Sequence, residues 1–140
     1  MASYKTSLRN SNMTNIVTAL TGASRLLFYT GSAPANTASP TGTLLATFTL
    51  AGTAGTVSGG VLTFNAISNV TGAASGTPGY FRMIDGTTDD GTHTQVQGTA
   101  GVGSGEFNFS SSLIALSSNG VENKVMPFSL ASLNASWCHS

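Results

Sequence analysis

Short runs in which apolar and polar residues alternate, each closed by a glycine-rich turn, constrain this chain more than any other feature. In residues 61–67, Leu62, Phe64 and Ala66 point one way while Thr63 and Asn65 point the other, the period of two of a half-buried strand. In residues 79–85, Phe81 and Met83 alternate in the same way with Tyr80, Arg82 and Ile84. Between them lies SNVTGAASGTPG, whose Gly, Pro, Ser and Asn supply turn geometry, so the two runs suit an antiparallel sheet with a long surface loop. Neither run carries a pair of residues of catalytic character.

The same pattern recurs along the chain. SRLLFYT at 24–30 reads as the first strand, and GSAPANTASPTGT, with Pro34 and Pro40, as a loop. Leu44, Ala46, Phe48 and Leu50 alternate with Leu45, Thr47 and Thr49, forming the clearest inward-facing row. A short edge strand is expected at 56–58. After the polar turn DGTTDDGT come a sparse strand at 92–99 carried by Val96 and, beyond GVGSG, a strand at 106–109 with Phe107 and Phe109 inward. Leu113, Ile114 and Leu116 continue the apolar signal, Asn119-Gly120 is a hairpin dipeptide, and residues 124–133 close the series with Met126, Phe128 and Leu130 on one face. Pro127 cannot donate to a ladder, which places that strand at an edge or a bulge.

Only residues 7–20 read as a helix. Leu8, Ile16, Val17 and Leu20 fall roughly on one face and Gly22 follows as a stop. Its apolar stripe is expected to cover the chain's own sheet, ahead of a neighbouring subunit. The expectation is a mainly β fold: an antiparallel β-sandwich or Greek-key barrel of about seven or eight strands with one short N-terminal helix. It divides into an N-terminal arm and helix (1–22), a β-sandwich domain (23–134) and a C-terminal tail (135–140).

Composition narrows the function classes. Only 7% of the 140 residues are charged, against about 25% in an ordinary domain, and five basic residues balance five acidic ones. Ser (19) and Thr (20) replace them, giving a hydroxyl-rich surface with little colloidal repulsion, suited to packing against something else. Lys5, Arg9, Arg25, Arg82 and Lys124 are scattered, so no basic stripe is expected to bind nucleic acid. The polar start MASYKTSLRNSNMTN lacks the apolar segment of a signal peptide, and no apolar run is long enough to span a bilayer. A single cysteine, Cys138, excludes an internal disulfide framework and suits a reducing cytoplasm.

Chemical motifs are scarce. Asp85, Asp89 and Asp90 crowd one turn, but position six of an EF-hand frame would be Asp90 and position twelve Val96, so a solvated turn is favoured over a calcium site. His93 and His139 fall in no spaced ligand pair, and no G-x-S-x-G elbow occurs. Gly101, Gly103 and Gly105 lack the following helix that a dinucleotide site requires. The reading is therefore no enzyme, with no catalytic, cofactor-binding or metal residues. Trp137, the one tryptophan, either plugs its own domain or anchors on a partner.

The order LRN, short helix, RLLFYTGSAPAN, TGTLLATFTLAG, GGVLTFNAI and GTPGYFRMIDG resembles a family of small tailed-bacteriophage virion structural proteins. Its YxGxxPA strand-loop corresponds to residues 29–35, its GTLLATxTL strand to 42–50, its GGVLTxNAI strand to 59–67 and its GxAxxFRxxD strand to 79–85. The likeness runs from about Leu8 to Phe109 and leaves out the tail SWCHS. Its motifs are structural rather than catalytic, and the loop around 68–78 and the DGTTDDGTHT turn are longer than the family pattern.

The resemblance implies a virion component on the capsid surface, assembled in the host cytoplasm. The expected role is a capsid decoration or cement protein that binds junctions between major capsid subunits and copies of itself as a dimer or trimer. Leu8, Ile16, Leu20 and Trp137 are the candidate assembly contacts, with residues 68–78 as a further contact surface. A tail or connector component is the alternative. A carbohydrate-binding module is more remote, resting on Tyr80 as an exposed aromatic.

Overall fold

A computed structural model describes residues 4–65, 73–102, 105–109 and 133–134. Among them one helix, α1 (Thr6–Ala19), precedes eight strands: β1 (Arg25–Tyr29), β2 (Leu44–Thr49), β3 (Gly55–Ser58), β4 (Val61–Phe64), β5 (Tyr80–Ile84), β6 (Thr94–Val102), β7 (Phe107–Phe109) and β8 (Leu133–Asn134). The fold is mainly β. One sheet has the order β2-β1-β5-β6-β7 and the other β3-β4-β8. All pairings are antiparallel except β6 with β7. The described strands do not close into a barrel: β2 and β7 bound one sheet, β3 and β8 the other.

The two runs that suggested one antiparallel sheet do not pair. β4 belongs to the three-stranded sheet and β5 to the five-stranded one. They meet face on instead, because Leu62 and Phe64 from β4 and Phe81 and Met83 from β5 share one core with Leu26, Phe28, Leu45, Phe48 and Leu50. Period-two patterning states which side of a strand is buried but not which neighbour it hydrogen-bonds. Phe28 sits within this core, edge-on to Phe48 at 5.9 Å and tilted against Phe81 at 6.4 Å.

The five-stranded sheet is covered on its other face as well. Leu27, Tyr29, Tyr80 and Ile84 form a second cluster, with Leu44 packed against it, and every residue of β5 is buried. A register shift in β2 links the two clusters. Phe28 pairs with Ala46 and Tyr29 with Leu44, leaving Leu45 unpaired. Both Leu45 and Ala46 join the inner core while Leu44 turns to the outer cluster. The expected inward row is corrected accordingly: the bulge inserts one residue and reverses the facing before it.

α1 ends as expected, with Gly22 at φ +76° donating its N–H to Gly52 O at 3.2 Å. Met13, Ile16, Val17 and Leu20 form its packed face, spaced by three and four residues. Leu8, expected on that stripe, is 48% exposed, because it lies about 140° round the helix from Met13. Through that face the helix covers the chain's own sheets, with Met13 and Leu20 fully buried. Its start is tied to the β3–β4 turn, where Gly59 (φ +61°) and Gly60 (φ +80°) form a two-residue reversal open to glycine. The Gly60 N–H donates to Asn10 Oδ1 at 2.7 Å.

The strands expected from Leu113 to Leu130, the Asn119-Gly120 hairpin, and Trp137, Cys138 and His139 lie outside the described residues, as does the first part of the 68–78 loop. No helix among the described residues is long and apolar enough to cross a membrane.

Candidate functional site

Arg82 occupies the middle of β5, at an outward position between Phe81 and Met83, and its side chain is fully buried. A buried guanidinium is costly unless its donors are bonded and its charge is matched. Both conditions hold. Nη1 donates to Asp89 Oδ1 at 2.8 Å, Nε to Gln97 Oε1 at 2.7 Å and Nη2 to Ala35 O at 3.1 Å. Gln97 is the cross-strand partner of Arg82 on β6, and its Nε2 donates to Pro34 O at 2.6 Å. Asp89 comes from the β5–β6 turn, is 3% exposed, and also accepts the Tyr29 hydroxyl on Oδ2 at 2.9 Å.

The outer loop is drawn down by the same group. Residues 31–43 offer little apolar surface of their own, so their backbone groups must find partners elsewhere. The Tyr80 hydroxyl donates to Thr41 O at 2.6 Å and accepts from the Thr41 N–H at 3.0 Å. Its ring stacks on Tyr29 at 5.0 Å with 12° between planes. Burial first, and then the bond to the Asp89 carboxylate, push the Tyr29 phenol well above its ordinary range. The donors and acceptors of this network are engaged with one another and with loop carbonyls, so what it does chemically is hold a loop and a turn onto a sheet.

The three aspartates expected in one solvated turn have separate roles. Asp89 is buried against Arg82, which corrects the solvated reading for that residue. Asp85 is exposed, with Oδ1 2.8 Å from His93 Nδ1 and Oδ2 accepting from Gln95 Nε2 at 3.0 Å. Asp90 is exposed and accepts on Oδ1 from the Thr92 hydroxyl (2.7 Å) and N–H (2.8 Å), and these bonds lower its pKa. Among the described residues no group of three or more His, Cys, Asp or Glu side chains comes together to hold a metal ion.

Of the expected contact residues, Leu8 is exposed, Ile16 is partly buried against the core and Leu20 is fully buried. Trp137 lies outside the described residues. Among the described residues, Leu8, Ile16 and Leu20 do not join the Arg82 network. Sequence reasoning treated Arg82 as one of five scattered cations. The signal that marks it is an arginine inside an otherwise apolar strand, YFRMI, where both faces need cover. Comparison with protein-family models, curated proteins and solved structures returned no match.

Proposed function

We propose that this protein is a structural component of a tailed-bacteriophage virion, and within it a capsid decoration or cement protein. The observation that carries the reading is where the polar residues of the resemblance motifs meet. Tyr29 of the YxGxxPA segment and Arg82 of the GxAxxFRxxD segment meet on Asp89, and Arg82 also donates to the Ala35 carbonyl of the first segment. These motifs, far apart in the chain, thus act together as a scaffold that fixes a surface loop. That suits a protein whose work is contact. The two sheets facing one core are read as a β-sandwich.

On this reading the partners are the major capsid protein and further copies of this chain, and the protein acts on the capsid surface with no catalytic role. Many weak contacts repeated on a symmetric lattice give high avidity without a deep pocket. The carbohydrate-binding alternative loses its support, because Tyr80, its one candidate platform, is fully buried with its hydroxyl on Thr41. A tail or connector role remains the alternative outcome of the test.

That test is copy number and position in purified particles of the phage that encodes the chain, by quantitative mass spectrometry and electron cryo-microscopy. Decoration requires on the order of hundreds of copies at lattice symmetry axes. A few to a few tens of copies, placed at the tail or neck, would establish the alternative instead.

A further inference from the structure

We infer that the protein associates head to tail with copies of itself, the first turn of α1 in one copy docking on the β5–β6 turn of the next. Tyr4, just before α1, and Leu8, in its first turn, are four residues apart and are the exposed large hydrophobics among the described residues. Lys5 and Arg9 flank them at the same spacing. Neither cation has a carboxylate partner among the described residues. The Arg9 side chain lies against Gly60 of the β3–β4 turn, and among the described residues its Nη2 donates to Thr6 Oγ1 at 3.3 Å. The complement of such a surface is an apolar contact with carboxylates beside it.

The chain itself carries that complement. Its carboxylate side chains all lie from Asp85 onward, whereas three of its five cations lie at or before Arg25. In the β5–β6 turn Asp85 and Asp90 are exposed, and neither is matched by a lysine or arginine among the described residues. The two surfaces lie on opposite sides of the five-stranded sheet. α1 packs through Met13 and Leu20 into the inner core, while the turn lies with the outer loop, Ser39 Oγ donating to Asp90 O at 3.3 Å. A surface on one side that fits a different surface on the other cannot form a two-fold dimer. It makes a heterologous contact, which closes into a ring or propagates.

This refines the self-association that rests on the virion reading, yet it is tested on the isolated full chain without any capsid, so the two can fail separately. Sedimentation velocity at up to about 0.2 mM should show concentration-dependent oligomers in low salt that dissociate at about 1 M salt, where screening falls to about 3 Å. Lys5→Glu/Arg9→Glu and Asp85→Lys/Asp90→Lys should each be monomeric, and mixing the two should restore association through the exchanged charges. Leu8→Ser should weaken association about tenfold, with circular dichroism and thermal midpoint close to the parent. A parent chain that stays monomeric, a variant mixture that does not associate, or stronger association after charge reversal in α1 would each overturn the proposal, the last by revealing a like-on-like contact.

Discussion

At the scale of single residues the molecule turns on Arg82 and Asp89. Removing one partner leaves a buried charge unmatched, whereas replacing both with apolar side chains removes the desolvation cost with the attraction. Arg82→Met and Asp89→Leu should each lose about 3–5 kcal/mol in urea denaturation, and the double variant should lose clearly less than the two singles together. Tyr29 adds a pH dependence. Its folded-state pKa is raised, chiefly by burial and then by Asp89, so folding holds its proton more tightly than the unfolded chain does. That contribution is whole below about pH 10 and is lost as the pH rises above it. The alkaline fall in stability above about pH 10 should therefore be shallower in Tyr29→Phe than in the parent, read by denaturation midpoints at stepped pH. Asp90 works the other way: its lowered pKa gives a contribution that is present above the usual carboxylate range and lost on acidification. The Tyr29–Asp89–Arg82 pairing was not legible beforehand, since these residues are brought together only when the 31–43 loop and the β5–β6 turn fold over the sheet.

At the scale of elements α1 is the clearest case. Its sequence is rich in Ser, Thr and Asn, which bond backbone carbonyls locally, as Ser11 does to Ser7 O and Thr18 to Thr14 O. Such a helix depends on its packed face for stability. Met13→Ala should cost about 2–5 kcal/mol while Leu8→Ser changes stability by less than about 0.5, both read by thermal or urea unfolding. The helix and its end were legible from Ile16, Val17, Leu20 and Gly22. Its true face was not, because Leu8 fits a loose stripe with Ile16 and Leu20, and Met13 stands among the polar residues Asn12 and Thr14. β2 shows the parallel case among strands: its apolar residues were all identified, but the bulge at Leu45 that assigns them to two different clusters is a property of pairing with β1.

For the whole molecule, β5 is the structural centre. It is paired on both sides, by β1 and β6, and buried on both faces. Amide hydrogen exchange should be slowest there and should approach the free energy of global unfolding, while β3, at a sheet edge, exchanges by smaller openings. Equal protection of β3 and β5 would contradict this arrangement. The sequence alone determined that the chain is mainly β, that one helix comes first, and where seven of the eight described strands begin and end to within a few residues, since alternation and glycine turns are local and survive without knowledge of neighbours. It also identified Phe64, Phe81 and Met83 as inward-facing. Only the tertiary structure decided that β4 and β5 sit in different sheets, that the outer face of β5 is covered, and that an arginine and an aspartate are buried there as a pair. Those outcomes depend on which segments meet across long stretches of chain, and a period of two carries no record of the partner.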